Sequence, residues 1–130
     1  MSRSVYKTEL YHNPKVQVRR SPVQGWGMFA KEPLAKYELI EESPIIVVDP
    51  SELANPINLS RYFADLRDGK VFIGLGYGCL YNHSQTPNVA WYVDGLNYTQ
   101  NYYTLRDIDA GEELFSFYNE NISFPENENN

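Results

Sequence analysis

A chain of 130 residues has the length of one compact domain. Seventeen acidic against eleven basic residues leave a net charge of −6, which argues against phosphate-backbone binding as the main activity and suits encounter with a basic, lysine-rich partner. A single cysteine, Cys79, and two histidines, His12 and His83, exclude an internal disulfide and a cysteine-built zinc cluster, so no metal site is expected.

No apolar run reaches the roughly eighteen residues that a membrane span needs. The opening Met1-Ser2-Arg3 lacks the apolar stretch of a secretory signal, and a soluble, intracellular protein is the expectation. Residues 1–14 are polar, end at Pro14 and read as a loosely held arm. Val16 to Arg19 alternates as a half-buried strand does, and Ser21-Pro22 with Gln24-Gly25 marks a turn. Met28-Phe29-Ala30 predicts a second short strand, and Leu39-Ile40 begins a third. Ile45 to Val48 is a continuous β-branched run, the pattern of a strand buried on both faces.

Asp49-Pro50-Ser51 resembles a helix start, and Leu59 to Leu66 has room for a turn or two of helix. Val71-Phe72-Ile73 reads as extended, with glycines at 69, 74, 76 and 78 around it. Val89 to Val93 and Asn101 to Arg106 predict two strands joined by a turn near Asp94-Gly95. Asp109-Ala110-Gly111 is another turn, leading into a last strand from Glu113 to Tyr118. The expected architecture is mostly β with one short helical insert. Eleven tyrosines suit β-rich cores and pocket walls, because each joins a large ring to a hydroxyl.

Three segments carry chemistry. In Gly25-Trp26-Gly27-Met28-Phe29-Ala30, two glycines around one residue let the backbone turn sharply and let a ligand lie against bare peptide groups. Alone, such a pair is an ordinary tight turn. Asn82-His83-Ser84-Gln85-Thr86-Pro87-Asn88 packs donors and acceptors into adjacent positions, and the proline with a second asparagine fixes the turn that presents them. A lone histidine there would be a structural residue. Gly111-Glu112-Glu113-Leu114-Phe115-Ser116-Phe117-Tyr118 is a turn followed by an aromatic-rich strand, in which Tyr118 alone would be a core tyrosine.

Taken together and in this order, the three segments resemble the SET-domain family of protein lysine methyltransferases. Leu39-Ile40-Glu41, Gly76-Tyr77-Gly78 and Arg106 to Ala110 agree with it. The likeness spans about residues 15–120, after the arm of residues 1–14, and leaves 121–130 as a tail. In size the chain is similar to the minimal stand-alone SET proteins of large algal viruses and bacteria.

The resemblance implies a SET fold of several small sheets, with a closing segment threaded as a C-terminal pseudoknot. It implies S-adenosylmethionine as cofactor, with Gly25, Trp26 and Gly27 along it, Asn82 at its methionine part and His83 at its adenine. It places Tyr118 at the methyl-transfer centre, as an orienting and electrostatic residue. Tyr62 and Trp91 become candidates for the substrate lysine channel, where ring faces attract a cation and pack on its stem. The implied partner is a lysine-bearing protein, such as a histone tail, and a homodimer is in keeping with the viral relatives.

Some features depart from the family pattern. The motifs have no cysteine-rich flank, so site closure falls to Asn119 to Phe124, the arm or a second subunit, with Phe124 over the adenine. Ser116 stands where several relatives carry a phenylalanine or tyrosine, which leans toward higher methylation number. A non-catalytic SET module that binds a peptide or protein partner and an aromatic-rich β-domain that binds sugars are the alternatives. Cofactor binding and methyl transfer separate the three.

Overall fold

The computed structural model describes residues 6–53 and 62–117. Within them the backbone forms nine strands in two small sheets. Strands β1 (Val16–Arg20) and β2 (Trp26–Ala30) form an antiparallel hairpin, with Val16 opposite Ala30 and Arg20 opposite Trp26. The hairpin loop closes through Ser21, whose hydroxyl accepts the amides of Val23 and Gln24. Gly25 then turns with φ +52, a left-handed conformation that a side chain disfavours.

The first sheet is completed by β6 (Asn82–His83) and β9 (Glu113–Ser116), in the order β1-β2-β9-β6. β9 is antiparallel to β2 and parallel to β6. The closing segment is thereby inserted between two earlier parts of the chain. Asn82 and His83, read from the sequence as residues presented by a turn, form a two-residue strand aligned with Phe115 and Ser116.

The second sheet has the order β4-β5-β3-β8-β7 and is antiparallel throughout. Its strands are β3 (Leu39–Val48), β4 (Ala64–Asp65), β5 (Val71–Gly74), β7 (Val89–Asp94) and β8 (Thr99–Thr104). Leu39-Ile40 and Ile45 to Val48 belong to one ten-residue strand, with a register irregularity between Leu39 and Glu41. Ile45 to Val48 is not buried on both faces: Ile45 is buried, whereas Ile46 is 47% exposed. An antiparallel sheet needs a core on only one side, and the β-branched run meets solvent on the other.

The helix start at Asp49 yields one 3-10 turn, Pro50–Leu53, in which the Ser51 amide donates to the Asp49 carboxylate. Of the segment expected to be helical, residues 59–61 lie outside the described residues, and Ala64–Asp65 pairs with β5 as a strand. The described part of the arm, from residue 6, is held more firmly than its polar composition implied. Asn13 is fully buried and donates to Glu38 and to the Leu39 carbonyl. His12 bridges to Glu41, and Lys7 pairs with Glu42 at 3.0 Å. The exposed edge of β3 thus gains partners for its backbone.

One core serves both sheets. Met28, Ala30 and Leu114 from the first meet Ile40, Phe72 and Tyr102 from the second. Tyr81 stacks on Tyr102 with ring centroids 4.1 Å apart, and its hydroxyl donates to the buried Glu41 at 2.6 Å. That carboxyl also accepts the Tyr77 amide. Burial nevertheless raises its pKa above the ordinary carboxylate value, against the lowering effect of those bonds.

Candidate active site

The site is built where the two sheets converge. Asn88, last residue of the central motif, acts as a backbone mimic toward β9. Its side-chain amide donates to the Glu113 carbonyl at 2.9 Å and its side-chain oxygen accepts the Phe115 amide at 2.7 Å. Its own amide donates to the Phe115 carbonyl. This clamp holds β9 against the loop that follows β6.

Glu113 faces inward from β9 and gathers three segments. Its carboxylate accepts the Ser21 hydroxyl and the Asn82 side-chain amide, each at 2.8 Å. Asn82 also donates to the Gln24 carbonyl at 3.1 Å. A side chain at Gly27 would place its Cβ 2.4 Å from the Glu113 carboxylate and 3.2 Å from the Asn82 amide. Gly27 is therefore a packing requirement: it lets the carboxylate and the asparagine close against the hairpin.

In front of this network lies a cavity of about 410 Å³. Its lining includes a glycine-bearing group, Gly25, Trp26 and Asn82, and an aromatic group, Tyr62, Phe72 and Trp91. Five residues singled out from the sequence thus share one space: Gly25, Trp26, Tyr62, Asn82 and Trp91. Ser116, buried at the end of β9, lines it as well. Trp26 is 53% exposed, with the Arg20 guanidinium 4.6 Å from its ring centroid. Trp91 is buried and packs edge-on against Phe72.

The other singled-out residues fall elsewhere. Gly27 backs the cavity without lining it. His83 is exposed, and its ring lies 4.9 Å from that of Phe117, outside the cavity wall. Tyr118 lies outside the described residues, as do Asn119 to Phe124. The parallel register of β6 and β9 does bring Asn82 and His83 beside the residues that lead into Tyr118. Among the described residues no cluster of metal-ligating side chains occurs, and no helix is long and apolar enough to cross a membrane.

Glu113 and Ser21 were given no role by sequence reasoning. The signal was a pair of adjacent acids, Glu112 and Glu113, at the start of a strand. Glu112 caps the turn, accepting the Asp109 amide and pairing with Arg106 at 3.0 Å. Strand alternation then points Glu113 inward, where a carboxylate needs donors. Gln100 and Tyr102 on β8 and Cys79 also line the cavity and were likewise missed.

A cradle of this kind has room for a nucleoside-sized ligand. Gly25 has nothing within 4 Å of where a Cβ would stand, so its bare backbone borders open space. An exposed indole beside it offers a stacking face, and the volume is that of an ordinary ligand site.

The comparisons with known proteins agree with this geometry. The SET domain family model matches residues 25–119. Over 112 residues the chain is 34% identical to a Schizosaccharomyces pombe protein named histone-lysine N-methyltransferase, H3 lysine-37 specific, covering 84% of this chain and 76% of that one. A Plasmodium falciparum structure named as a histone methyltransferase superimposes with a TM-score of 0.70 at 29% identity, covering 82% of this chain and 95% of the other. The Chaetomium thermophilum Polycomb Repressive Complex 2, in a humanized mutant form, shares the fold with a TM-score of 0.68 at 22% identity, over 85% of this chain and 15% of that one. With three ordered motifs, their convergence on one cavity and a family match over most of its length, the chain belongs to the SET-domain family.

Proposed function

We propose that this protein transfers a methyl group from S-adenosylmethionine to the side-chain amine of a lysine in a basic protein, with histone H3 as the first substrate to test. The observation that carries this reading is that one cavity is lined both by Gly25, Trp26 and Asn82 and by the aromatic residues Tyr62 and Trp91. Bound S-adenosylmethionine supplies an electrophilic sulfonium methyl. The chain's residues supply position and environment. Glu113 and Ser21 hold the hairpin loop, so that Gly25 and Trp26 present backbone and indole to the nucleoside. Asn82 is oriented by the same carboxylate.

A lysine reaches the methyl past the aromatic group, where ring faces take its four-carbon stem. Its ammonium must lose a proton to water before the nitrogen lone pair can form the new N–C bond. The C–S electron pair then leaves with the donor's sulfur. From a reference pKa near 10.4, forming the neutral amine at pH 7 costs roughly 4–5 kcal/mol. A desolvated, aromatic channel lowers that cost by disfavouring the charged form. Tyr118, two residues beyond the buried end of β9, completes the reading as the group that orients the amine.

Action inside the cell follows from the proposed donor and substrate, and light scattering measures whether two copies associate. The test of function is incubation with labelled S-adenosylmethionine and histone H3, with the modified lysine mapped by mass spectrometry. Transfer that disappears in Tyr118→Phe supports the reading. Calorimetric cofactor binding without transfer to any core histone would leave a peptide-binding module and overturn it.

A further inference from the structure

The cavity wall contains a polar side chain that the fold itself does not use. Gln100 sits on β8, opposite Ser43 of β3 and Val93 of β7, and is only 5% exposed. Its carboxamide occupies a niche kept open by two glycines. A Cβ at Gly74 would stand 2.5 Å from its side-chain oxygen, and one at Gly78 would stand 2.9 Å away.

Neighbouring polar groups on the same wall are committed. Asn82 donates to Gln24 and Glu113, the Tyr102 hydroxyl to the Gly78 carbonyl, and the Cys79 thiol to the Gly74 carbonyl. The Gln100 carboxamide makes no hydrogen bond to a described residue, and it borders the cavity. The amide is therefore free to meet a guest in the cavity, and a site built to hydrogen-bond a ligand discriminates strongly against one that lacks the matching group. The surrounding walls, Phe72, Trp91 and Tyr102, are aromatic, so the expected guest has an apolar stem and a polar head that donates.

We propose that Gln100 is a specificity-determining residue whose side-chain oxygen accepts an N–H of the target lysine's amine. The assignment rests on the lysine-transfer reading above. It adds that the site distinguishes amines by the N–H groups they retain. An unmodified or monomethylated lysine keeps an N–H as the neutral amine; a trimethylated lysine has none in any state.

The test is calorimetric binding, at saturating S-adenosylhomocysteine, of two histone H3 peptides that differ only at the mapped lysine, one unmodified and one trimethylated. Replacing the acceptor in Gln100→Leu is expected to weaken the unmodified peptide roughly tenfold and the trimethylated peptide by less than about twofold. Gln100→Glu keeps an acceptor and is expected to keep the preference. Thermal melting of each variant separates lost contact from lost fold, and the Glu variant carries the comparison if the Leu variant does not fold. Equal weakening of both peptides, no weakening of either, or a Gln100→Glu variant that binds both alike overturns the assignment. Wild-type protein that methylates no histone lysine defeats the lysine reading and this assignment together. Normal wild-type transfer with an indifferent Gln100 defeats this assignment alone.

Discussion

Replacing Glu113 by leucine should unfasten the glycine-bearing group of the cavity lining while leaving the apolar core intact. The carboxylate accepts two short hydrogen bonds, from Ser21 and from Asn82. Leucine fills much of the same volume but accepts neither. Asn82 keeps its bond to the Gln24 carbonyl and loses the other; the Ser21 hydroxyl, which organises the hairpin loop, loses its acceptor. Each charge-assisted bond is worth about 1.5–3 kcal/mol, and because the two share one carboxylate they do not simply add. A combined loss of about 2–4 kcal/mol in urea unfolding is expected, together with weaker S-adenosylmethionine binding by calorimetry. Glu113→Gln keeps one acceptor and should lose about half as much. In a double-mutant cycle, Ser21→Ala should cost much less on the Glu113→Leu background than alone. A Glu113→Leu protein within about 0.5 kcal/mol of wild type would show that the carboxylate does not hold these segments together, and the account of the site would be wrong.

Asn88→Ala removes both side-chain bonds to β9 and should cost about 2–3 kcal/mol, measured by the urea midpoint. Gly27→Ala forces a methyl group toward the Glu113 carboxylate, so cofactor affinity should fall in calorimetry even where the protein stays folded. Glu41 has a pKa raised chiefly by burial, so the folded protein holds that proton more tightly than the unfolded chain. Its contribution to stability is therefore lost as pH rises from the ordinary carboxylate value through the raised one; Glu41→Gln should flatten that fall in urea titrations run upward from the ordinary carboxylate value. Glu112 has the opposite sign: its pKa is lowered, first by its hydrogen bond to Arg106, and its contribution is present above the ordinary carboxylate value and lost as pH falls through the lowered one. Arg106→Gln should diminish that acid-side loss in the same titrations.

The strands were readable because their signals are local. Alternation at Val16 to Arg19 and the turn at Asp94-Gly95 each depend on a few neighbouring residues, and both appear where expected. The face of a strand is harder to read. Ile46 carries the same β-branched side chain as Ile45 yet points to solvent, because the sheet order decides which face is covered. The arm was misread for a related reason: its polar side chains bind partners such as Glu38 and Glu42, which lie far along the chain.

Within the site, Gly25, Trp26, Tyr62, Asn82 and Trp91 were singled out from the sequence, and all five line one cavity. Glu113 and Gln100 were not. Their significance lies in what surrounds them across the two sheets, and a short motif does not encode that. Gly27 shows the same limit from the other side. Its motif suggested contact with a ligand, whereas its missing side chain makes room for a carboxylate.

The placement of Trp26 and Trp91 has a practical consequence. They are the only two tryptophans in the chain, and both line the cavity. Intrinsic fluorescence is thus a label-free reporter of occupancy, with no indole elsewhere to dilute it. The two should also be separable, because Trp26 is 53% exposed and Trp91 only 7%. Iodide should quench the red-shifted emission of Trp26 and spare the blue-shifted emission of Trp91. A ligand seated against the glycine-bearing group should shield the first, and a lysine analogue against the aromatic group should perturb the second, so one spectrum can follow the binding of both.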